Sequence, residues 1–267
     1  MSGMKNQRSQ TEWDTLNEEA VKRALGALAD ELTVVVRLVC DSTNLEARKF
    51  ALESVEAPTL ILAEEQTAGR GRLGRSFHSP RGAGLYLSLL FPLGESLPSA
   101  VSLTCAASVA VMRAIRHTVG IQAEIKWVND LLVGGKKVCG ILAEAITLGE
   151  RTHIVIGVGI NLRPIEFPIE LREIAGSLEN ETVARSALAA EVTRELMQIV
   201  ECPTDRFWLE DYRKYSAVIG KPIRWIENGS ERIGIADGID ENGALRVTAE
   251  NGTSVLLQTG EISVRTL

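Results

Sequence analysis

The sequence lacks the features that would place a protein outside the cell or in a membrane. Its 267 residues include only four cysteines, and none of them form a CxxC pair, so neither a disulfide framework nor a structural zinc site is predicted. No apolar run reaches the roughly 18 residues that a membrane-spanning helix needs, and the polar N-terminus has no apolar secretory core. We therefore expect a cytoplasmic protein with no membrane contact.

A surplus of positive charge is also missing, and aromatic rings are scarce. The formal net charge is −6, and only 4% of the residues are aromatic. Binding to nucleic acid requires a surplus of lysine and arginine to neutralise phosphates, and single-strand binding requires rings on which bases stack. The composition therefore argues against a nucleic-acid partner. In other respects the composition is that of an ordinary globular protein, with 45% hydrophobic and 24% charged residues.

The spacing of apolar and turn residues predicts two domains. Helical spacing marks Leu16–Leu28, Leu45–Leu52, Ser99–Val119, Val183–Val200 and Asp205–Tyr215, and strand-like runs are Leu32–Val39, Thr59–Ala63, Gly84–Phe91, Ala123–Val128, Lys136–Ala145 and His153–Leu162. These elements predict an α+β catalytic domain with a mixed sheet over residues 1–217, of which 1–14 form a flexible tail. From residue 218 to 267, short β-type runs alternate with Asn-Gly turns, which predicts a small all-β barrel.

A glycine- and arginine-rich segment stands out in this acidic chain. Residues 69–74 read Gly-Arg-Gly-Arg-Leu-Gly, which matches the dinucleotide-binding pattern GxGxxG and follows a predicted strand. That pattern needs a helix directly after the loop, and residues 76–82 do not predict one. Arg70, Arg72 and Arg75 instead offer cationic groups suited to phosphate, while the glycines allow the backbone to approach a ligand. The segment predicts binding of a phosphate-bearing ligand, with a solvated basic loop as the alternative.

Other polar segments each allow two interpretations. Ser42-Thr43-Asn44, at the end of a strand, is either a helix cap or a set of donors and acceptors for a neutral polar ligand. Asn129-Asp130 is either a tight turn or a source of a carboxylate for a metal ion on a nucleotide. Lys137 follows a Gly-Gly turn that is not a Walker loop, so the lysine is either solvated or part of a site. The residues alone leave these alternatives open.

Six segments follow one another in a characteristic order. They are Ser42–Asn44, Glu65–Arg75, Gly84–Ser88, Lys126–Leu131, Lys137–Glu144 and Gly157–Leu162. In this order they closely resemble the biotin–protein ligases, the biotin–acetyl-CoA-carboxylase ligases, and the pairing of GRGRxGR with KWxNDL is highly specific. The resemblance runs from about Val39 to Leu162 and resumes at Gly260-Glu261-Ile262-Ser263.

The resemblance implies a catalytic domain of the biotin/lipoate ligase type, followed by an SH3-like barrel. It also implies a reaction in two steps. The carboxylate of biotin attacks the α-phosphate of ATP, with Mg²⁺, to give biotinyl-5′-AMP and pyrophosphate. A lysine of a biotin carboxyl carrier domain, part of a biotin-dependent carboxylase, then takes the biotinyl group. The family often pairs through a sheet edge, so a homodimer is a further expectation.

The resemblance also assigns residues to roles. Biotin would be bound by Ser42, Thr43, Asn44, Gln66, Arg70, Gly71, Arg72 and Lys137, and the nucleotide by Arg70, Arg72, Arg75, Asn129, Asp130 and Asn161. Lys137 and Arg72 would be catalytic, since they lie on the reacting oxygens and the adenylate phosphate. Asp130 would hold Mg²⁺, and the segment Gly69–Arg75 would close as a lid over the adenylate.

The chain departs from the family pattern at three positions. Phe77 replaces a common Trp, Val128 a usual Pro, and Gly84 a common Asn, which is expected to loosen one contact to biotin. None of these changes removes a proposed catalytic group. Some family members carry an N-terminal DNA-binding domain, but one helix before the catalytic fold predicts no sequence-specific DNA binding here.

Two rival functions follow from the same residues. One is a lipoate or octanoate ligase or transferase, although a lipoyl tail calls for an apolar slot rather than the polar Ser42–Asn44 cluster. The other is a non-catalytic module that binds nucleic acid or protein through the barrel and the basic loop, against which the acidic composition argues.

Overall fold

The computed structural model describes residues 14–53, 55–93, 99–227, 229–258 and 262–264. The predicted N-terminal tail therefore lies outside the described residues, except for Asp14, and so do Gly260 and Glu261 of the predicted closing motif. None of the helices among the described residues combines the length and the hydropathy that a membrane-spanning segment requires.

The N-terminal part is built on a mixed seven-stranded sheet with the order β1-β2-β3-β7-β6-β5-β4. Its strands are β1 Thr33–Cys40, β2 Thr59–Gln66, β3 Gly84–Leu93, β4 Glu124–Lys126, β5 Asp130–Val133, β6 Lys136–Leu148 and β7 Arg151–Asn161. The β1–β2 pair is parallel and the other neighbours are antiparallel. The first residues of β2 and β3 are buried without alternation, because helices cover both faces of the sheet centre. The predicted mixed-sheet α+β fold is confirmed.

The helices cover the two faces of this sheet. They are α1 Glu18–Leu25, α2 Thr43–Leu52, α3 Ala100–Val119, α4 Arg185–Glu201 and α5 Leu209–Lys214. The long apolar helices α3 and α4 contribute to the main core, whereas α2 packs on a smaller core that includes Val35 and Ile61. Ser99 caps α3 by accepting a bond from the Ser102 amide at 3.0 Å, and Gly120 closes the helix with a φ of 76°.

The C-terminal residues form a separate antiparallel sheet of five strands, in the order β11-β10-β9-β8-β12. The strands are β8 Pro222–Glu227, β9 Ser230–Ile239, β10 Leu245–Ala249, β11 Ser254–Leu257 and β12 Ile262–Val264. The sequence predicts a small all-β unit here, with β-type runs at Pro222–Ile226, Arg232–Ala236, Leu245–Thr248 and Ser254–Leu257, and each run lies within one of the first four strands. The short last strand was not predicted, because three residues carry too little pattern to identify a strand.

Two local predictions need correction. The predicted strand Ala123–Val128 ends at Lys126, and β5 begins at the polar Asp130, where the sequence predicted no strand. Asp130–Val133 is too short for a recognisable alternation, and it forms because it lies between β4 and β6. The predicted helix Asp205–Tyr215 is shorter in the structure, where α5 spans Leu209–Lys214.

A buried ionic cluster ties the N-terminal segment to the centre of the sheet. Arg185, at the start of α4, has no exposed surface and donates to both carboxylate oxygens of Glu64 on β2, at 2.9 and 3.0 Å. Asp14 accepts from the Arg185 amide at 2.7 Å and from Arg163 at 2.9 Å. Every charge in this cluster has a partner, so the charged groups can be buried on the strand that also carries Gln66.

Candidate functional site

A cavity of about 560 Å³ lies between the main sheet and the loops beside it. All the predicted site residues line it: Ser42, Thr43, Asn44, Gln66, Arg70, Gly71, Arg72, Arg75, Asn129, Asp130, Lys137 and Asn161. The volume is in the range of pockets for small-molecule ligands. The structure thus brings together groups that are far apart in the sequence, while the role of each one remains a prediction.

Neutral polar groups cluster where α2 begins. Ser42 occupies the N-cap position, yet its side chain makes no capping bond, so the interpretation of this hydroxyl as a helix cap is wrong. The Thr43 amide donates to Gln66 Oε1 at 2.9 Å, and Gln66 Nε2 donates to Ser79 Oγ at 2.8 Å. These bonds fix the Gln66 amide against the start of the helix, where Ser42 also lines the cavity.

Asn44 is held in one orientation by neighbours on two strands. The Ser88 hydroxyl lies 2.6 Å from Asn44 Oδ1 and 2.7 Å from Thr43 Oγ1. Asn44 Nδ2 donates to Glu144 Oε2 at 2.7 Å. Gly157 on β7 leaves the space for this amide, because a Cβ there would lie 2.0 Å from Asn44 Oδ1. The glycine of β7 is therefore a steric requirement of the polar cluster.

The Gly/Arg segment folds as a tight loop between β2 and β3. Phe77 N donates to Gly69 O at 2.8 Å, Gly71 N donates to Arg75 O at 2.7 Å, and a short 3-10 turn spans Arg72–Gly74. No α-helix follows before β3, which confirms that the match to the dinucleotide pattern is incidental. Gly74 supplies a φ of 75° at the turn, and a Cβ at Gly69 would lie 2.5 Å from Phe77 O.

The arginines of this loop point to different partners, whereas an extended segment would have aligned Arg70 with Arg72. Arg70 Nη1 lies 3.4 Å from Glu144 Oε1, so one carboxylate contacts both the loop and Asn44. Arg72 Nη1 donates to Asn129 Oδ1 at 3.2 Å. The 3-10 turn is the cause, because it rotates the chain after Gly71. The loop is thereby attached to both the neutral cluster and the turn that carries Asn129.

Lys137 faces the cavity from the start of β6. Its Nζ lies 2.6 Å from Asp130 Oδ1, in an ion pair without hydrogen-bond geometry. Gly140 makes room for the lysine, since a Cβ there would lie 3.2 Å from Nζ. The Phe77 ring packs over Gly159, where a Cβ would come within 2.6 Å of it. Bare strand backbone thus forms a floor on which an aromatic ring and an ammonium group converge.

The turn between β4 and β5 is anchored from several elements. Val128 O accepts from Ser108 Oγ on α3 and from the Tyr212 hydroxyl on α5, both at 3.2 Å. Burial raises the pKa of Tyr212 well above its ordinary value, so this hydroxyl stays protonated and donates. Trp127 Nε1 donates to Gly243 O at 2.9 Å. Asn129 Nδ2 donates to Ile141 O at 3.0 Å, so Asn129 is also fixed to β6.

Asn161, at the end of β7, is one of the residues that line the cavity. Its Nδ2 donates to Gly176 O at 2.9 Å, while its buried Oδ1 has no hydrogen-bond partner among the described residues. A buried acceptor without a partner in the protein is costly unless water or a ligand supplies a donor. An apolar wall, formed by Phe167, Leu171 and Ile174, lies in the loop that follows β7 and was not predicted, because an irregular loop has no periodicity to mark it.

The structure changes the interpretation of Gly84. A Cβ at this position would lie 2.5 Å from Ile160 O and 2.7 Å from the Tyr86 ring. Gly84 is also not among the residues that line the cavity. Tyr86 fills the space that a side chain at this position would occupy, and the effect of Gly84 on biotin binding stays a prediction.

One group outside the cavity has the geometry of metal ligands among the described residues. It consists of His117, Glu191 and Glu195, whose ligand atoms lie within 4.8 Å of one another. Arg194 lies 2.7 Å from Glu191, and Arg113 lies 3.9 Å from Glu195, so the carboxylates already have cationic partners. We assign no metal to it.

Comparison with known proteins gives the same two-part division. The model of the Biotin/lipoate A/B protein ligase family matches residues 36–161, and that of the Biotin protein ligase C terminal domain matches residues 218–265. The chain is 35% identical to the bifunctional ligase/repressor BirA of Bacillus subtilis over 80% of its own length and 69% of that protein's length. It is 32% identical to the biotin–acetyl-CoA-carboxylase ligase of Mycobacterium tuberculosis over 87% and 88% of the two lengths.

A solved structure shows the same arrangement. The biotin protein ligase of Aquifex aeolicus, in complex with biotin and ATP, superposes with a TM-score of 0.69 at 25% identity, covering 88% of this chain and 98% of that one.

Proposed function

The chain belongs to the biotin protein ligase family, and from that premise we propose how its cavity performs the reaction. The protein is an ATP-dependent ligase that activates biotin as biotinyl-5′-AMP and transfers it to a biotin carboxyl carrier protein. One observation carries the assignment of residues. A neutral hydrogen-bonding cluster and a cationic group that includes Lys137 line one cavity, which matches a substrate with a neutral ring and an anionic tail.

The neutral cluster is assigned to the ureido ring of biotin. This ring offers donors and an acceptor without charge, so hydroxyl and amide groups suit it better than ions. Ser42 has a hydroxyl that is not used for capping, and the amides of Asn44 and Gln66 are fixed by bonds to their neighbours. Preorganised groups lose little entropy on binding, which favours affinity and specificity. The Phe77 ring, stacked on the glycine floor, would pack against the apolar part of biotin.

The cationic group is assigned to the first step. An oxygen of the biotin carboxylate forms a bond to the α-phosphorus, and the bond from that phosphorus to the bridging oxygen breaks as pyrophosphate leaves. Two anions must approach each other, so fixed cations at the reacting oxygens lower the barrier. Lys137 would contact the carboxylate and α-phosphate oxygens, and Arg70 and Arg72 would cover them from the loop. Arg75 would bind the departing pyrophosphate.

The second step needs protection of the adenylate and access for an amine. A carrier lysine attacks the carbonyl carbon, the bond to the phosphate oxygen breaks, and AMP leaves while the amine loses a proton. Biotinyl-AMP reacts with water, so we propose that Gly69–Arg75 closes over it as a lid. The bond from Arg72 to Asn129 supports this assignment, because it joins the loop to the nucleotide side of the cavity.

Asp130 is assigned to a magnesium ion that accompanies ATP. Magnesium is held by hard oxygen ligands and usually keeps phosphate and water ligands, so one protein carboxylate is sufficient. One oxygen of Asp130 contacts Lys137, which leaves the second oxygen for the ion. When bound, Mg²⁺ would neutralise charge on the phosphates. Asn161, with its unpartnered buried oxygen, would accept a bond from the nucleotide.

Lipoate is the closest rival substrate, because the matching family model covers both ligase types. The polar cluster at Ser42, Thr43 and Asn44 favours biotin. A lipoyl tail has no ureido group to bond with this polar cluster, so burying its apolar chain there costs affinity.

The test combines the substrates with a pair of lysine variants. The protein is incubated with ATP, Mg²⁺ and a biotin carrier domain, with either biotin or lipoate, and carrier mass is measured. Biotin transfer is expected, and lipoate transfer without biotin transfer would refute the proposal. Lys137→Ala should reduce formation of biotinyl-AMP by orders of magnitude while unfolding stays cooperative. Lys136→Ala is the matched control, since Lys136 is exposed and bonds only to Arg172 O among the described residues.

We also propose that the catalytic and C-terminal domains meet near residue 218. The second family model begins at that residue and β8 begins at Pro222, which supports this boundary. A cytoplasmic location is proposed because the reaction consumes ATP.

A homodimer and the absence of specific DNA binding remain proposals. β6 pairs with β5 only up to Gly140, while its pairing with β7 continues to Leu148, which leaves an outer edge for a second copy. Sedimentation velocity with biotin and ATP tests this, and a monomer at all concentrations would contradict it. The acidic charge supports the absence of DNA binding. Biotin-dependent retardation of an operator DNA would contradict it.

A further inference from the structure

The turn between β9 and β10 reaches the wall of the cavity. Gly243 O accepts the bond from Trp127 Nε1 at 2.9 Å, and the Cys105 thiol lies 3.8 Å from the same oxygen. Trp127 is only 4% exposed and is one of the residues that line the cavity. A carbonyl from the turn between β9 and β10 is therefore bonded to the side chain of a residue that lines the cavity.

The position of this carbonyl is set by local bonds and by close packing. Asp240 Oδ1 accepts from the amides of Asn242 and Ala244, at 2.9 and 2.8 Å. Gly243 has a φ of 86°, and a Cβ there would lie 2.9 Å from the Cys105 sulfur. The packing leaves no space for a side chain between the turn and α3. Only glycine therefore allows the carbonyl to reach Trp127.

Trp127 belongs to the turn that carries Asn129 and Asp130. The carbonyl of Val128 in this turn is held by Ser108 and Tyr212, which belong to α3 and α5. Gly243 adds an anchor from the C-terminal sheet. A shift of the indole would move the backbone next to Asn129 and Asp130, while the polar cluster at the start of α2 is held by other bonds.

We infer that the turn at residues 240–243 is a positioning element for ATP, because it fixes Trp127 and with it the nucleotide-binding groups of the β4–β5 turn. The inference rests on the proposed function, since it depends on Asn129 and Asp130 acting on the nucleotide. The C-terminal sheet thereby contributes to adenylation, although Gly243 itself does not line the cavity. Loss of the bond between Gly243 and Trp127 would weaken the binding of ATP and leave the binding of biotin unchanged.

The experiment compares two glycines of the same sheet. Gly243 and Gly252 have φ values of 86° and 81°, so alanine is strained similarly at both, but nothing lies within 4 Å of a Cβ at Gly252. Pyrophosphate release gives the KM for ATP and kcat, and calorimetry without ATP gives the Kd for biotin. Gly243→Ala should raise the KM for ATP about tenfold over Gly252→Ala, as expected for one lost buried hydrogen bond. The Kd for biotin should agree within about twofold.

Equal kinetics in the two variants would overturn the inference, and so would an equal loss of biotin and ATP affinity. Trp127→Phe keeps a ring and removes the N–H, and it should show the same split between ATP and biotin. If Gly243→Ala fails to fold, Trp127→Phe decides alone, and an unchanged KM for ATP refutes the inference. A parent protein that makes no biotinyl-AMP refutes the proposed function instead, whereas an active parent with indistinguishable variants refutes only the role of the turn.

Discussion

Replacing Gly157 with alanine should weaken the binding of biotin selectively. An alanine Cβ would lie 2.0 Å from Asn44 Oδ1 and 2.8 Å from its Cγ, distances that no real contact tolerates. Asn44 is 5% exposed and lies in the first turn of α2, so its amide must rotate away because the backbone is fixed. The perturbation therefore acts on the group that we assign to the ureido ring.

The size of the effect follows from the bonds that the amide loses. Its Oδ1 lies 2.6 Å from Ser88 Oγ, and its Nδ2 donates to Glu144 at 2.7 Å. A buried polar group that loses its partner costs about 1–3 kcal/mol. Two such losses, partly offset by water in the cavity, amount to about 2–4 kcal/mol. Because the alanine Cβ keeps the amide from its original orientation, a similar free energy is missing when biotin binds, and its Kd should rise about 30- to 1000-fold.

Calorimetry of biotin binding and the KM for ATP measure this effect. The matched control is Gly238→Ala on β9, where a Cβ meets only the flexible end of Arg246, at 3.0 Å. Alanine is favoured over glycine in a strand by about 0.5–1 kcal/mol, so the control should be at least as stable as the parent. A Gly157→Ala protein that unfolds cooperatively and binds biotin as tightly as the parent would refute the assignment of Asn44. An equal loss of ATP affinity would show that the disturbance is general.

Two further changes test the loop and a buried carboxylate. Arg72→Gly removes the guanidinium that bonds to Asn129, so biotinyl-AMP should leak faster into solution, which chromatography of the released adenylate measures. Arg81→Gly, on an exposed turn, is the control. Unchanged retention of biotinyl-AMP in Arg72→Gly would contradict the role of the loop as a lid. Burial raises the pKa of Glu195, against the attraction of Arg113, so its ionisation costs stability as pH rises through the folded-state pKa. Glu195→Gln should therefore increase the free energy of unfolding at about pH 7 and match the parent below the ordinary glutamate pKa of about 4.3. Urea unfolding at both pH values measures the free energy of unfolding of the variant and the parent. A difference between them that is the same at both pH values would contradict the predicted direction.

The sequence predicted the elements that carry strong local signals. The long apolar helix closed by Gly120 and the buried strand that begins at Thr59 appear close to where their patterns place them. The site residues were predicted mainly from the order of the family motifs, and all of them line one cavity. β5 was missed, because Asp130–Val133 is too short and too polar at its start to show a period. The sequence left the Ser42 hydroxyl open between a helix cap and a group for a ligand, since sequence shows the position of a residue but not the direction of its side chain.

The sequence by itself determined which chemical groups are present and where the chain must turn. Glycine and arginine between β2 and β3, neutral polar residues before α2 and a lysine on β6 limit the ligand to one with phosphate and neutral parts. Only the tertiary structure decided which groups meet. Glu144 bonds to Asn44 across 100 residues, and Gly243 bonds to Trp127 across 116. Such contacts depend on sheet register and on the packing of two domains, and these are set by the burial of the whole chain rather than by any local pattern.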